Sequence, residues 1–189
     1  MFKKQTDNRV AVFFADGCEE IEGLTVVDLL FRAGIPCDMV SVSDSYQVTS
    51  SHEVTFLCNK LISEVDINAY AMLVLPGGIP GTPNLAATDS LMQAVDTFAA
   101  QGKPLAAICA APSIYAERGL LSGVRATANP GFQHVLVEKG ALLLKDPVVV
   151  DGPFITSQGA GTAVAFGLEI VRYFLGDAAV LRVRDGIAL

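Results

Sequence analysis

Cys109 stands between an apolar run, Leu105-Ala106-Ala107-Ile108, and the segment Ala110-Ala111-Pro112-Ser113. The run has the length and character of a fully buried strand. Pro112 suits the first turn of a helix, where its missing N–H costs nothing, and apolar residues continue at helical spacing over 113–121. Cys109 is therefore expected where a strand turns sharply into a helix. That is the geometry of a nucleophile elbow, which lifts one side chain over the end of a sheet. Free N–H donors and the partial positive charge of a helix N-terminus favour thiolate over thiol. Ala107, Ala110 and Ala111 leave room for the tight backbone. The alternative is a buried structural cysteine, the common fate of a free one.

Gly77 and Gly78 follow a second apolar run, and with Ala110 they offer backbone N–H groups that can hold an oxyanion formed by thiolate attack on a carbonyl. An ordinary strand-to-helix turn has the same composition. Gly159-Ala160-Gly161-Thr162 has a weak likeness to a phosphate cradle, but it lacks a lysine and reads as a packing turn. The cysteines Cys18, Cys37, Cys58 and Cys109 include no CxxC pair, and only His52 and His134 accompany them. Neither a metal site nor a disulfide framework is indicated, and no cofactor is implied.

The elements that must position these groups alternate along the chain. Residues 9–14 read as a first buried strand, closed by Ala15-Asp16-Gly17. Glu19, Glu20 and Glu22 crowd the start of a helix to Ala33, with Ile21, Leu24, Val27, Leu30 and Phe31 as its apolar stripe and Gly34 as its stop. Residues 37–42 form a second strand, and 47–58 carry two short β-prone pieces expected as an antiparallel excursion at the sheet edge. Ser63 can cap a short helix. Residues 71–75 are a third buried strand, ended by Pro76-Gly77-Gly78, and Thr88 or Asp89 caps a helix over 90–101. After Cys109 and its helix come short strands at 123–127, 141–145, 148–150 and 154–156, with a short helical or looped segment from Asn129 to Lys139 between the first two. A long helix begins near Thr162, ends near Leu175, and is followed by a tail helix after Gly176. Strands alternating with helices imply an α/β, doubly wound parallel sheet with helices on both faces. Sites in such sheets lie beyond the carboxyl ends of the strands. Asp16-Gly17, Gly77-Gly78, Cys109-Ala110 and Gly159–Thr162 all leave strands at that edge and can converge on one pocket.

A chain of 189 residues, 51% hydrophobic, is most simply one domain, residues 1–189, with a sizeable core. No apolar run is long enough to span a bilayer. The polar N-terminus lacks the apolar core of a signal peptide, so a cytoplasmic protein is expected. A net charge of -7 argues against nucleic-acid and anionic-membrane partners.

The motifs Asp16-Gly17-Cys18-Glu19-Glu20-Ile21-Glu22, Leu75-Pro76-Gly77-Gly78, Ala107-Ile108-Cys109-Ala110-Ala111-Pro112 and Thr156-Ser157-Gln158-Gly159-Ala160-Gly161-Thr162 occur in this order. Together they resemble the ThiJ/PfpI superfamily, in its parkinsonism-associated deglycase branch. The resemblance implies a flavodoxin-like fold and a homodimer. It also implies that Cys109 is the nucleophile and Glu22 the carboxyl group hydrogen-bonded to its sulfur. A carboxyl sharing a pocket with a thiolate feels like charge and burial, so its pKa should rise. Held neutral, it can donate to the sulfur and then move a proton. The other reading of Glu22 is a solvated first-turn acid, which suits Glu19 and Glu20 better. Many members carry a His directly after the cysteine or in a Thr-His-Pro segment. Ala110 and Thr127-Ala128-Asn129-Pro130 stand there in this chain, which argues against a Cys–His peptidase. His134 reads as a surface residue, and His52 stands where the branch often has Arg. Asn129 and Arg32 are expected near the pocket.

The function these residues imply is a cofactor-independent enzyme acting on small reactive aldehydes such as methylglyoxal, or on glycated thiols and amines. The competing reading is an oxidative-stress sensor or chaperone-like protein regulated by oxidation of Cys109.

Overall fold

The computed structural model describes residues 2–189. In chain order the elements are β1 (Val10–Phe14), α1 (Glu20–Ala33), β2 (Cys37–Ser41), β3 (Gln47–Thr49), β4 (Thr55–Leu57), β5 (Lys60–Leu61) and β6 (Met72–Leu75). Then follow α2 (Gly81–Ala86), α3 (Asp89–Ala100), β7 (Leu105–Ile108), α4 (Pro112–Glu117), β8 (Arg125–Ala126) and α5 (Gln133–Glu138). The chain closes with β9 (Leu142–Leu143), β10 (Val148–Asp151), β11 (Phe154–Ser157) and α6 (Ala163–Gly186).

Seven strands form the central sheet in the order β10-β11-β7-β6-β1-β2-β5. All neighbours are parallel except β10, which pairs antiparallel with β11. Strands β1, β6, β7 and β11 are buried along their whole length, as continuous apolar runs require when helices cover both faces. One face packs against α1 and α6 through Val26, Leu29, Phe166 and Ile170; the other packs against α3 and α4 through Leu91, Val95, Ile114 and Tyr115. This is the flavodoxin-like α/β architecture expected.

Strand order reverses between β1 and β6, since the chain moves outward to β2 on one side and to β7 and β11 on the other. That reversal opens a crevice beyond the carboxyl ends of β1 and β6. Helix α1 is drawn tightly onto the sheet beside it. A Cβ at Gly23 would stand 2.2 Å from Cε1 of Phe14, so only glycine permits this approach.

Several local expectations are corrected. The buried line of α1 runs through Glu22, Gly23, Val26, Leu29, Leu30 and Ala33, while Ile21 and Phe31 are 50% and 52% exposed. The apolar-stripe reading had the helix rotated, because its inward face includes a carboxylate. Helix α4 stops at Glu117 rather than continuing to Leu121, and Gly119 turns with φ 74°. Ser63 lies inside a 3-10 turn (Ile62–Glu64), and Asp66 instead caps the next turn (Ile67–Ala69), accepting from the Asn68 N–H at 3.0 Å. β3 and β4 pair antiparallel but form a separate two-stranded sheet. Helix α2 had no sequence signal. The last helix does break at Gly176, whose φ of 72° interrupts α6.

Candidate active site

Cys109 leaves β7 with φ 67°, a left-handed conformation that a residue bearing a Cβ rarely adopts. Its N–H donates to the Ser157 carbonyl at 3.0 Å, extending the β7–β11 ladder by one step. Its own carbonyl accepts the Asn129 N–H at 2.8 Å, and the Ala111 N–H bonds back to Ile108 at 3.1 Å. The strained turn, costing on the order of 1–3 kcal/mol, is therefore fixed from three sides. The result is the expected elbow, with the side chain raised over the end of the sheet.

Glu22 arrives from the first turn of α1, and its side chain is buried, with the residue 1% exposed. Its Oε2 accepts the Gly77 N–H at 2.8 Å, a bond that reaches from α1 to the end of β6 across the strand-order reversal. Oε1 is buried and makes no hydrogen bond of ordinary geometry, its interaction with the Cys109 thiol being a looser one. A Cβ placed on Gly77 would lie 2.6 Å from Cys109 Cβ, 2.9 Å from Glu22 Oε2 and 3.0 Å from the Ala110 nitrogen. Carboxyl and thiol are thus packed around a residue that must lack a side chain.

Burial is the largest influence on Glu22 and raises its pKa from 4.5 to about 7; the Gly77 N–H and the Cys109 thiol oppose that rise, and the charge of Glu19 adds to it. A buried carboxyl with one oxygen bonded to an N–H and the other orphaned is completed by a proton on the orphan. Protonated there, Glu22 becomes a donor toward the sulfur.

The sulfur does not behave as expected from the sequence. Burial first, then the Glu22 charge and hydrogen bond, push the Cys109 thiol up to about 12, while the Ala110 and Gly78 N–H groups pull it down. The other three cysteines are also pushed to about 12, chiefly by burial. Proximity to the six-residue α4 does not by itself make Cys109 a ready thiolate. Two of the three raising influences vanish once Glu22 carries the proton. Ionisation of the sulfur is therefore eased when Glu22 carries a proton, and the carboxyl is that proton's favoured place once the sulfur is ionised.

The remaining candidates divide. Gly78 and Ala110 direct their N–H groups at the sulfur. Gly77 does not act as a free oxyanion donor, because its N–H is committed to Glu22. Asn129 lies at the site: its Nδ2 would be 3.5 Å from a Cβ at Gly159, and that same Cβ would be 3.9 Å from both Cys109 Sγ and Glu22 Oε1. Gly159, rather than Gly161, is the glycine that faces the pair; Gly161 is exposed and lines a separate depression with Val164 and Leu168. Thr162 acts behind Gly159, its Oγ1 accepting the Gly159 N–H at 3.1 Å and bonding Ser157 Oγ at 2.7 Å. Asp16 and Gly17 shape the adjoining loop. Asp16 Oδ1 accepts the Thr49 N–H at 2.8 Å, and the Gly17 carbonyl accepts the Gly81 N–H at 2.9 Å.

Arg32 is misplaced by the sequence reading. It lies ten residues beyond Glu22 on α1, about 15 Å along the axis, and its Nε donates to Asp28 at 2.6 Å. His134 is exposed on α5. His52 is exposed and paired through Nδ1 with Glu20 at 3.2 Å and Glu19 at 3.7 Å. Among the described residues, these three are the grouping whose ligand atoms fall within 4.8 Å of one another, and their pairing is accounted for as surface ion pairs.

Fold and site together define an α/β protein with a cysteine on a strand-to-helix elbow, packed against a buried carboxyl from the other side of the switch point. The chain belongs to the DJ-1/PfpI family, whose sequence profile matches residues 8–173. It is 36% identical over 169 residues to protein DJ-1 homolog B of Arabidopsis thaliana, covering 89% of this chain and 38% of that one. The chain thus spans less than half the length of that relative. It is 31% identical over 170 residues to the glutathione-independent glyoxalase DJ-1 of Schizosaccharomyces pombe, covering 86% and 89% of the two chains. The structure of oxidized Toxoplasma gondii DJ-1 superimposes with a TM-score of 0.91 at 31% identity, over 96% and 98% of the two chains.

Proposed function

We propose that this protein is a cofactor-independent enzyme that converts small 2-oxoaldehydes such as methylglyoxal to 2-hydroxy acids, with Cys109 as nucleophile and Glu22 as proton shuttle. The observation that carries this reading is the buried Glu22 carboxyl, raised to about 7 and packed beside the elbow cysteine. A group titrating near the working pH can both give and take a proton. The glyoxalase name of the Schizosaccharomyces pombe relative supports the same chemistry.

In the proposed reaction the ionised sulfur adds to the aldehyde carbon. A C–S bond forms, and the carbonyl electron pair becomes an oxyanion that takes the proton from Glu22. The resulting carboxylate removes the hydrogen on that carbon as a proton and returns it to the neighbouring ketone carbon. The hydroxyl proton passes to the ketone oxygen, leaving a 2-hydroxyacyl thioester on Cys109. Oxidation of one carbon balances reduction of the other, so no external oxidant is needed. Water then cleaves the thioester to the hydroxy acid and free sulfur, with one proton returning to Glu22 and one to solvent. Release of glycated thiols or amines would share the first adduct. Methylglyoxal consumption with chiral analysis of the lactate formed tests the proposal; no lactate from the native protein would reject it.

A second reading, oxidation of Cys109 to a sulfinate, is favoured by the Gly78 and Ala110 N–H groups directed at the sulfur. Mass spectrometry after peroxide treatment tests it: a stable gain of two oxygens on Cys109 supports it, and direct passage to the sulfonate opposes it.

A homodimer and a single domain over residues 1–189 complete the proposal. The exposed apolar side chains Ile21 and Phe31 on α1 support burial of that face against a second copy.

A further inference from the structure

Each of the three segments that build the site continues into the wall of one apolar groove. Gly78 leads to Ile79, Cys109 leads through Pro112 to Ser113 and Ile114, and Asn129 leads to Phe132, whose N–H donates to the Asn129 carbonyl at 2.7 Å. The far wall is Thr82, Pro83 and Ala86 of α2, with Met92 of α3. The groove encloses about 590 Å³, within the ordinary range for small-molecule sites. Methylglyoxal, with a single methyl group beyond its two carbonyls, would leave nearly all of it unused.

The charged residues on its rim limit what can occupy it. Glu117 is paired with Lys139 at 2.7 Å, and Arg118 is paired with Asp96 through two hydrogen bonds. Neither offers an unmatched charge to a ligand. Ile79, 56% exposed, lines the groove and directly follows Gly78 in the chain.

The geometry points to this groove as the binding site for an uncharged apolar substituent on the carbonyl substrate, so that the preferred substrates are 2-oxoaldehydes bearing alkyl or aryl chains. This rests on the proposed function for the reaction but not for the recognition, and the two are tested separately. Burying each methylene gives roughly a fourfold gain in binding. Recognition is read by alkylating Cys109 with iodoacetamide and with N-hexyl iodoacetamide, each rate divided by that of free cysteine. The expected result is at least a tenfold normalised preference for the hexyl reagent, abolished by Ala86→Phe, which fills the groove, and by Ala86→Asp, which places a charge in it. A normalised ratio near one, or a preference that survives both substitutions, would overturn the inference. In turnover, hexylglyoxal should exceed methylglyoxal in kcat/KM by a similar factor, and equal values would also overturn it. If neither aldehyde is turned over while the alkylation preference holds, the reaction proposal fails and the groove assignment stands.

Discussion

Replacing Glu22 with Gln gives the most informative change in stability. The amide can keep an oxygen on the Gly77 N–H, but it cannot ionise. In the native protein the carboxyl titrates at about 7 against 4.5 for the free group, because burial disfavours its charge. A raised acid binds its proton more tightly when folded. Its contribution to stability is therefore complete below pH ~4.5, falls as pH rises from 4.5 to 7, and is lost above 7. A shift of about 2.5 units at about 1.4 kcal/mol per unit amounts to about 3 kcal/mol. Urea unfolding at pH 5 and pH 8 should show native stability falling by most of this, about 2.5 kcal/mol, more than that of Glu22→Gln, because the unfolded carboxyl is already largely ionised at pH 5. With m near ~2 kcal/mol/M, the difference is more than ~1 M in midpoint. Groups away from Glu22 titrate alike in both proteins and cancel. Identical pH dependence in the two would refute the argument that Glu22 is buried and raised.

Gly77→Ala should cost on the order of 1–3 kcal/mol and sharply reduce turnover, since its Cβ would stand 2.6 Å from Cys109 Cβ; thermal melts and kinetics check it. In the native protein at pH 8, mass spectrometry should find Cys109 alkylated ahead of Cys18 and Cys58, which are 0% and 5% exposed, and equal labelling would contradict the elbow geometry. Light scattering at micromolar concentration should give a dimer mass, reduced to that of a monomer by the double substitution Ile21→Glu with Phe31→Glu.

The elbow and the doubly wound, mainly parallel character of the sheet were legible because both depend on local signals: buried apolar runs, a proline at a helix start, and glycines after strands. Helix α1 was legible in its ends, where Gly34 takes φ 78°, but not in its rotation. An apolarity pattern assigns carboxylates to water, and here the inward face carries Glu22. Only the motif resemblance pointed to it. Arg32 was misplaced for the related reason that a residue on the same helix as Glu22 lies three turns from the crevice. Gly159 and Gly161 are separated by one residue, and which of them meets the sulfur is decided by the bonds of Thr162 to Ser157 and Gly159. Helix α2 rests on a close approach that sequence does not encode: a Cβ at Gly81 would lie 2.6 Å from the Cys18 Cα. The raised thiol pKa likewise follows from burial and from a carboxyl brought in across the sheet.

The proposal depends most on the division of labour between Cys109 and Glu22, and lactate production by the native protein, Cys109→Ser and Glu22→Gln measures it directly. The native protein should turn over methylglyoxal, and Cys109→Ser should yield no lactate, since a serine hydroxyl is not ionised at neutral pH. Glu22→Gln should lose turnover by ~10² or more while Cys109 still alkylates. Unchanged lactate production by Glu22→Gln, or substantial activity in Cys109→Ser, would contradict the assignment.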